Sequence, residues 1–336
     1  MYRLIEVLAP LAARDRLIRA LEDTDVIARW PVLEGEEKVC ARLLVQVQSS
    51  GDWVDAIESA LTGIEDYRLV LLPVEASIPR EPKPDPVEAE SEAPRRNGGI
   101  SRDELIDELQ DGISLGFDYL SFVLVSVLVA IVGLVQDNIA VIVGAMVLAP
   151  LLTPNVAVAL ATTLGDFKLA RQALKAGTLG AGLALLVAMA VSYCLDLSLD
   201  SHELLVRTEI RVGDVLVALA AGAAGVLALT GGASSSLIGV MVAVALMPPL
   251  VAAGLFAGAG QWQHAYAAGS LFAVNLLAVN LAGVLTFLVR GIRPRGWWQA
   301  ARAERSAWIA VSIWALLLLA LLLLLNATGV MTLWDA

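Results

Sequence analysis

Long apolar stretches separated by short polar loops make up most of the chain from residue 117 onward. Between Val215 and Val289 the chain contains no Asp, Glu, Lys or Arg. Such a stretch suits several membrane spans of about 20 residues each better than one soluble core. The pattern therefore predicts an α-helical transmembrane domain over residues 117–336 with about seven spans. They are expected at 117–136, 139–164, 176–195, 214–230, 237–260, 265–289 and 307–326.

Residues 1–78 follow a different pattern, in which short runs rich in Val, Leu and Ile alternate with helical periodicity. The predicted order of elements is strand, helix, strand, strand, helix, strand. They are expected at Tyr2–Leu8, Arg14–Leu21, Val26–Leu33, Lys38–Gln48, Trp53–Leu61 and Tyr67–Val74. This order is typical of a soluble α+β domain of the ferredoxin-like βαββαβ type. An oligomerising or regulatory module is the simplest interpretation, and a small-ligand sensor is the alternative.

The segment between these two regions contains a linker and a helix start. In residues 79–99 prolines alternate with Glu and Asp, which predicts an extended linker without a core. Ser101 and Glu104 have the spacing of a capping box. Residues 100–116 are therefore expected to form an amphipathic helix at the membrane surface.

Composition and charge exclude several classes of protein. The chain is 58% hydrophobic and 17% charged with a mean hydropathy of +0.73, whereas a soluble domain is roughly half apolar and a quarter charged. The net charge is −11 and no basic patch stands out, so a nucleic-acid partner is not expected. Cys40 and Cys194 do not indicate a disulfide framework. The N-terminus does not read as a signal peptide, since its apolar run is short.

The Lys and Arg residues of the short loops predict the orientation of the spans. Basic side chains occur before the first span, between the second and third, and between the sixth and seventh. If these loops face the cytoplasm, the other side holds only Arg207 and Arg211 in an acidic loop. The N-terminus is then cytoplasmic and the C-terminus lies outside.

The second and fifth predicted spans resemble each other, which predicts an internal repeat. Residues 139–152 align with residues 238–251, and Pro150 falls opposite Pro249. Both segments are second in a group of three spans. Because three is odd, the two groups must be inverted with respect to each other, and this 3+3 inverted repeat is a recurring plan of secondary transporters.

Proline at membrane depth frees a backbone carbonyl that protein, water or an ion must then satisfy. Prolines at matching depth in two inverted helices would place such groups opposite each other near the bilayer midplane. The alternative is that the prolines only kink the helices for packing. The same alternatives apply to the polar residues of this region.

Asp137 and Asn138 are either ordinary turn residues or, if the turn is re-entrant, part of a functional site. Asn155 can coordinate a cation through its side-chain oxygen, and Asn275 and Asn280 can instead form interhelical hydrogen bonds. The residues predicted to line a substrate or ion path are Asp137, Asn138, Pro150, Thr153, Pro154, Asn155, Ser234, Ser235, Ser236, Met247, Pro248, Pro249 and Asn275.

Enzyme signals are weak in this sequence. His202 and His264 have no Cys, Asp or Glu at metal-ligand spacing, and no Ser-His-Asp or nucleophile-elbow pattern occurs. The glycines and serines after the fourth span lack the Lys and the spacing of a phosphate-binding loop. No enzyme activity, metal or cofactor is therefore expected.

Two apolar segments of the chain resemble a known family. The pattern GAM-x-x-AP-L-x-TP is matched at residues 144–154, and A-x-x-PP-L is matched at residues 245–250. Over about residues 100–290 the chain resembles the uncharacterised membrane family catalogued as domain of unknown function 389, in which Asn275 matches an asparagine of the sixth span. The resemblance implies a membrane fold in the cytoplasmic (inner) membrane of a bacterium or archaeon, and no settled substrate.

The leading hypothesis from sequence is a homo-oligomeric transporter or channel for a small solute or ion, embedded in the lipid bilayer. Its path would pass through two inverted three-helix repeats whose second and fifth spans are interrupted at the prolines. In this hypothesis the N-terminal domain regulates or assembles it. The second hypothesis is a membrane-anchored sensor or scaffold whose N-terminal domain binds a ligand or partner. An intramembrane enzyme is the third, and it lacks a catalytic constellation.

Overall fold

The chain divides into two units, Met1–Leu105 and Ile106–Ala336. The computed structural model describes residues 2–21, 26–35, 37–46, 49–64, 66–74, 102–195, 197–231, 235–292, 297–327 and 331–332.

The N-terminal unit is built on an antiparallel sheet. Its strands are β1 (Tyr2–Pro10), β2 (Ala28–Arg29), β3 (Leu33–Glu34), β4 (Lys38–Gln46) and β5 (Arg68–Val74). The strand order is β2-β4-β1-β5, and β3 also pairs with β4. The helices of this unit are α1 (Arg14–Leu21) and α2 (Ser50–Ala60).

Buried residues alternate along β1, and their positions show which face of the sheet the helices cover. Ile5, Val7 and Ala9 are fully buried and point to one face, because successive strand residues point to opposite faces. They form one apolar cluster with Leu17 of α1 and Ile57 of α2. The two helices therefore cover a single face of the sheet.

The structure contains the strands and helices expected in this unit, in the expected order, with one change in the strands. The single strand predicted at Val26–Leu33 is two short strands, β2 and β3, which both pair with β4. Pro31 lies between them, and proline has no N–H to donate to a sheet. The division of the predicted strand into two therefore follows from Pro31, which the pattern of apolar positions does not take into account.

The predicted linker, residues 79–99, and the predicted cap at Ser101 lie outside the described residues. Helix α3 (Arg102–Gly112) falls within the predicted amphipathic segment. Leu105, Leu109 and Ile113 recur at intervals of four and are buried, as expected of one apolar helix face. The position of this helix at a membrane surface stays a prediction.

The C-terminal unit consists mostly of helices. They are α4 (Phe117–Val135), α5 (Ile139–Leu148), α6 (Leu152–Leu164), α7 (Phe167–Cys194), α8 (His202–Val206), α9 (Val212–Thr230), α10 (Ser235–Gly258), α11 (Trp262–Val289) and α12 (Trp297–Ala327). Two short strands, β6 (Ile210–Arg211) and β7 (Met331–Thr332), pair in parallel.

Among the described residues, α4, α7, α9 and α11 are each long and apolar enough to cross a membrane. Helices α5 and α6 meet the same criterion together, and they are bent by 53° at a short break, as either a broken span or a re-entrant loop would be. The described apolar stretches of α10 and α12 are shorter, at Leu246–Gly258 and Val311–Ala327. The structure thus contains several helices that qualify as spans by length and composition, while the total of seven stays a prediction.

Small residues allow the helices of this unit to approach closely. A Cβ atom added to Gly222 of α9 would lie 2.6 Å from the carbonyl oxygen of Val279 in α11. A Cβ atom on Gly254 of α10 would lie 2.7 Å from the Cβ of Ala188 in α7. Backbone contact of this kind leaves no room for a larger side chain at either glycine.

The two predicted proline segments differ in the structure. Around Pro150 the helix is interrupted, as expected for a residue that lacks an N–H. Helix α10 instead continues through Pro248 and Pro249, so the expected interruption of the fifth span is not found. Both prolines and Met247 are buried, and α7 and α11 pack against α10. Tight packing on two sides thus holds the helical path where two N–H groups are missing.

Candidate functional site

The break between α5 and α6 is a short segment of non-helical backbone. Helix α5 ends at Leu148, and Ala149 has extended dihedral angles of −72° and 118°. Pro154 is the third residue of α6, a position whose N–H needs no partner within the helix. The hydroxyl of Ser126 in α4 donates to the carbonyl oxygen of Ala145 at 2.6 Å, which satisfies a backbone group in the last turn of α5.

Two side-chain amides meet beside this break. Asn155 in the first turn of α6 donates from Nδ2 to the carbonyl oxygen of Leu151 at 2.9 Å. Asn280 of α11 donates from Nδ2 to the carbonyl oxygen of Leu276 at 2.8 Å. The same Asn280 Nδ2 lies 3.5 Å from Asn155 Oδ1. Asn280 is only 2% exposed, so this polar pair lies in the interior of the helix bundle.

Asn155 also lines a small cavity between α6, α7, α10 and α11. The cavity has a volume of about 150 Å³, enough for a few water molecules or one small solute. Its lining is mostly apolar, with Asn155 and Thr178 as the polar residues. The apolar side chains include Leu151, Pro154, Val158, Leu246, Phe272 and Leu276. The cavity therefore places one amide against a space that could hold a ligand.

A second cavity of about 390 Å³ lies on another side of α6. Thr153 lines it together with Glu108 and Asp111 of α3 and Leu229 of α9. Helix α3 approaches α6 closely here, because a Cβ atom on Gly112 would lie 2.5 Å from the Thr153 methyl carbon. Thr153 and Asn155 thus border two different cavities, although they are two residues apart.

Asp137 and Asn138 form the turn between α4 and α5, where both act as helix caps. Asp137 is exposed, has a positive φ of 57°, and accepts a hydrogen bond from the backbone N–H of Glu203 at 2.7 Å. Asn138 Oδ1 accepts from the N–H of Val141 at 3.2 Å and caps α5. The hydroxyl of Ser201 donates to the carbonyl oxygen of Leu134 at 2.6 Å. The turn therefore anchors the loop that contains α8.

The structure describes only some of the remaining predicted path residues. Asn275 is buried, four residues before Val279, so it belongs to the row of α11 that faces Gly222 in α9. Ser234 lies outside the described residues, and Ser235 and Ser236 are the first two residues of α10.

Asn280 is the residue that the sequence-based path omitted. It shares a row of α11 with Phe272 and Leu276, which line the cavity at Asn155, because residues four apart stack on one helix face. That spacing was visible in the sequence. What was not visible is which row of α11 faces the broken span, and this decides between Asn275 and Asn280.

The N-terminal unit has one polar cluster on its central strands. Arg42 donates to Glu6 Oε1 at 3.2 Å, and this hydrogen bond lowers the pKa of the Glu6 carboxyl. Burial, followed by a hydrogen bond to Glu6, raises the pKa of the Cys40 thiol. Among the residues that the structure describes, no three His, Cys, Asp or Glu side chains come together as a metal site would require.

Several apolar spans, one of them broken beside buried amides, define a multi-pass membrane protein. The chain belongs to the family described as domain of unknown function (DUF389), whose model matches residues 146–281. It is 32% identical over 284 residues to the uncharacterized protein MJ0678 of Methanocaldococcus jannaschii, covering 84% of this chain and 86% of that protein. No solved structure matches the chain significantly. The resemblance inferred from the motifs is thus confirmed.

Proposed function

We propose that this protein moves a small solute or ion across the membrane, along a path that passes the break between α5 and α6. The observation that carries the proposal is the 53° bend of an apolar span at a break that lies beside a cavity lined by Asn155. Polar groups and non-helical backbone at membrane depth are costly unless they face protein or a wet cavity. Interrupted helices with buried polar groups are a recurring feature of substrate and ion sites in transporters.

Matching geometry in the two halves of the helical unit supports an inverted 3+3 repeat. Helices α4 and α9 both have 19 residues, and α7 and α11 both have 28. Gly165 and Gly260 follow the second helix of each half with φ of 70° and 74°. The next N–H reaches back five residues in both halves, from Asp166 to Ala161 at 2.9 Å and from Gln261 to Phe256 at 2.8 Å. A cap of the same kind also follows α4 and α11, at Asp137 and Gly291. The equal lengths of the outer helices are therefore the observation that favours a common plan.

We further propose that the N-terminal unit is a ferredoxin-like domain on the cytoplasmic side, where it regulates or assembles a homo-oligomer. The strand order β5-β1-β4-β2 supports this assignment. If β2 and β3 are counted as one strand, the first and third strands, β1 and β4, lie in the centre of the sheet, as in a split βαβ unit. The orientation rests on the basic loops, among them Lys168, Arg171 and Lys175 at the start of α7.

The test is flux into proteoliposomes that contain the full chain, with protons, sodium, potassium, chloride and small anions as the panel. We expect flux above that of empty liposomes. Pro150→Ala should lower it by about tenfold or more, a factor that a change of ~1.4 kcal/mol in the barrier produces. An alanine at this position restores an N–H and favours a continuous helix where the path needs a break.

Gly144→Ala is the matched control, because Gly144 lies in α5 and a Cβ atom there would meet no other atom within 4 Å. It should leave the flux unchanged. An equal change of flux in both variants would contradict the proposal that the break lies on the path. No flux across the panel, from protein shown to be folded and inserted, would end the transport proposal.

That last outcome would favour the sensor or scaffold hypothesis. One observation supports it: the N-terminal unit has a cavity of about 430 Å³ lined by Arg14, Arg29 and Trp30 among others. Two guanidinium groups and an indole suit an anionic ligand with a flat apolar part. Arg14 already pairs with Asp15 at 3.0 Å, and Arg29 donates to the carbonyl oxygen of Leu21 at 2.5 Å. A ligand in this cavity would therefore have to share both guanidinium groups with their present partners.

A further inference from the structure

The orientation of the two amides beside the break restricts the kind of ligand that they can bind. Asn155 Nδ2 donates to the Leu151 carbonyl oxygen, and Asn280 Nδ2 donates to the Leu276 carbonyl oxygen. Each acceptor lies four residues earlier in the same helix. Flipping either amide would place its oxygen against a carbonyl oxygen, so hydrogen bonding fixes both orientations. One N–H of each amide is thus used within its own helix, and Asn280 Nδ2 also approaches Asn155 Oδ1 at 3.5 Å. The oxygen atoms of the two amides have no such strong partner.

These oxygens are poorly satisfied. Asn155 Oδ1 has a contact of 3.5 Å with Asn280 Nδ2, which is at the outer limit of a hydrogen bond. Asn280 Oδ1 is buried and has no hydrogen-bond partner among the described residues. A buried acceptor without a partner is unfavourable, and such groups call for a ligand, an ion or water. Pro154 has no N–H, so it cannot bond the carbonyl of Pro150 in the break either.

From this arrangement we propose that Asn155 Oδ1 and Asn280 Oδ1 form a site for a small monovalent cation. The inference rests on the proposed transport function and names its substrate class. The buried acceptor without a partner is an oxygen, Asn280 Oδ1, and an oxygen atom attracts a cation rather than an anion. Helices α6, α10 and α11 contain no Asp, Glu, Lys or Arg. The basic residues Arg171 and Lys175 of α7 are exposed and do not line the cavity. Sites for divalent cations are built with carboxylates, whereas neutral carbonyl oxygens serve monovalent ions in membrane proteins.

The cavity beside Asn155 gives the ion room to enter the site. Its volume of about 150 Å³ exceeds that of a bare monovalent ion, so a few water molecules can complete the coordination shell. The mostly apolar lining offers no competing charge. The two amides therefore supply the polar ligands of the protein, and water supplies the rest.

The first test measures binding rather than flux. The melting temperature of the full-length purified protein is compared in sodium, potassium and choline chloride at equal ionic strength. A cation that binds the folded state raises this temperature in a saturable manner, because binding stabilises the state that it occupies. We expect sodium or potassium to do so and choline, which is too large for the site, not to. Equal melting temperatures in all three salts would overturn the inference.

The second test assigns the binding to the amides. Asn280→Leu keeps the approximate size of the side chain and removes its oxygen, so the apparent cation affinity should fall by about tenfold or more, the scale seen when support of a metal site is removed. Asn155→Leu should act in the same direction, which covers the case that one variant does not fold. Thr286→Val is the matched control, since Thr286 is a buried polar residue of the same helix whose hydroxyl bonds Ala282.

Unchanged cation affinity in both asparagine variants would show that the cation binds elsewhere. It would overturn the assignment of the site to Asn155 and Asn280. The flux assay separates the two proposals. Cation-dependent stabilisation without any flux would support the cation site and contradict the proposed transport function. Flux of an anion without cation-dependent stabilisation would support transport and contradict the cation site.

Discussion

The two halves of the helical unit share their outer helices and differ in the middle one. Each half begins with a 19-residue helix and ends with a 28-residue helix. In the first half the middle span is broken between α5 and α6, and in the second half α10 continues through two prolines. Because the outer helices match in length, the residues next to the prolines are expected to decide why one middle span is broken and the other is continuous.

Those neighbouring residues differ in polarity and size. In the first half Thr153 and Asn155 follow the break, and Asn155 bonds the backbone there. In the second half the residues after Pro249 are apolar or small, and Gly254 packs directly against α7. A break at membrane depth needs polar groups that satisfy the freed backbone. The first half has these groups, whereas the second half has close packing that keeps its helix intact.

The largest effect that sharpens this comparison is expected at Gly222. In Gly222→Ala the new Cβ would lie 2.6 Å from the carbonyl oxygen of Val279, a backbone atom that cannot move aside. Overpacking of this kind costs about 1–3 kcal/mol. The melting temperature of the detergent-solubilised protein should therefore fall clearly.

Gly213→Ala in the same helix is the control, because a Cβ atom there meets nothing within 4 Å. It should leave the melting temperature unchanged or raise it slightly, since alanine favours a helix by up to ~1 kcal/mol over glycine. Equal melting temperatures for the two variants would contradict the close approach of α9 and α11.

A smaller effect is expected at the caps that both halves share. Gly165→Ala and Gly260→Ala each force a Cβ into the left-handed region, at φ of 70° and 74°. This costs about 1–2 kcal/mol per position. The two variants should lower the melting temperature by similar amounts, whereas Gly144→Ala should not. A large effect at one glycine and none at the other would break the equivalence of the halves.

Much of the architecture could be predicted from the sequence, since it depends on long or alternating apolar patterns. The spans at α4 and α9 and the antiparallel sheet are examples. The continuous helix at Pro248 and Pro249 could not, because it depends on tertiary packing rather than on the local missing N–H. The interior site was found only in part. Asn155 was identified from its place after Pro154, but choosing Asn280 required knowing which row of α11 faces α6.

Asp137 marks a similar limit of sequence reasoning. The Gln-Asp-Asn tip left two readings open, a surface turn or a re-entrant site. The carboxylate is exposed and bonds the Glu203 N–H, a partner 66 residues away that no local pattern indicates. The structure thus supplies a capping role for this residue, and its proposed place on the path can be tested separately from that role.

The smallest effect is expected at this turn. Asp137→Ala removes the acceptor of the 2.7 Å hydrogen bond and places alanine at a φ of 57°, so it should destabilise by about 1 kcal/mol. Asp137→Asn keeps an acceptor oxygen, and Asn tolerates positive φ, so its melting temperature should nearly equal that of the wild type. If the residue acts only as a cap, flux should also be unchanged in Asp137→Asn. Loss of flux at an unchanged melting temperature would instead show that the negative charge itself is needed, and would add this turn of the first half to the path.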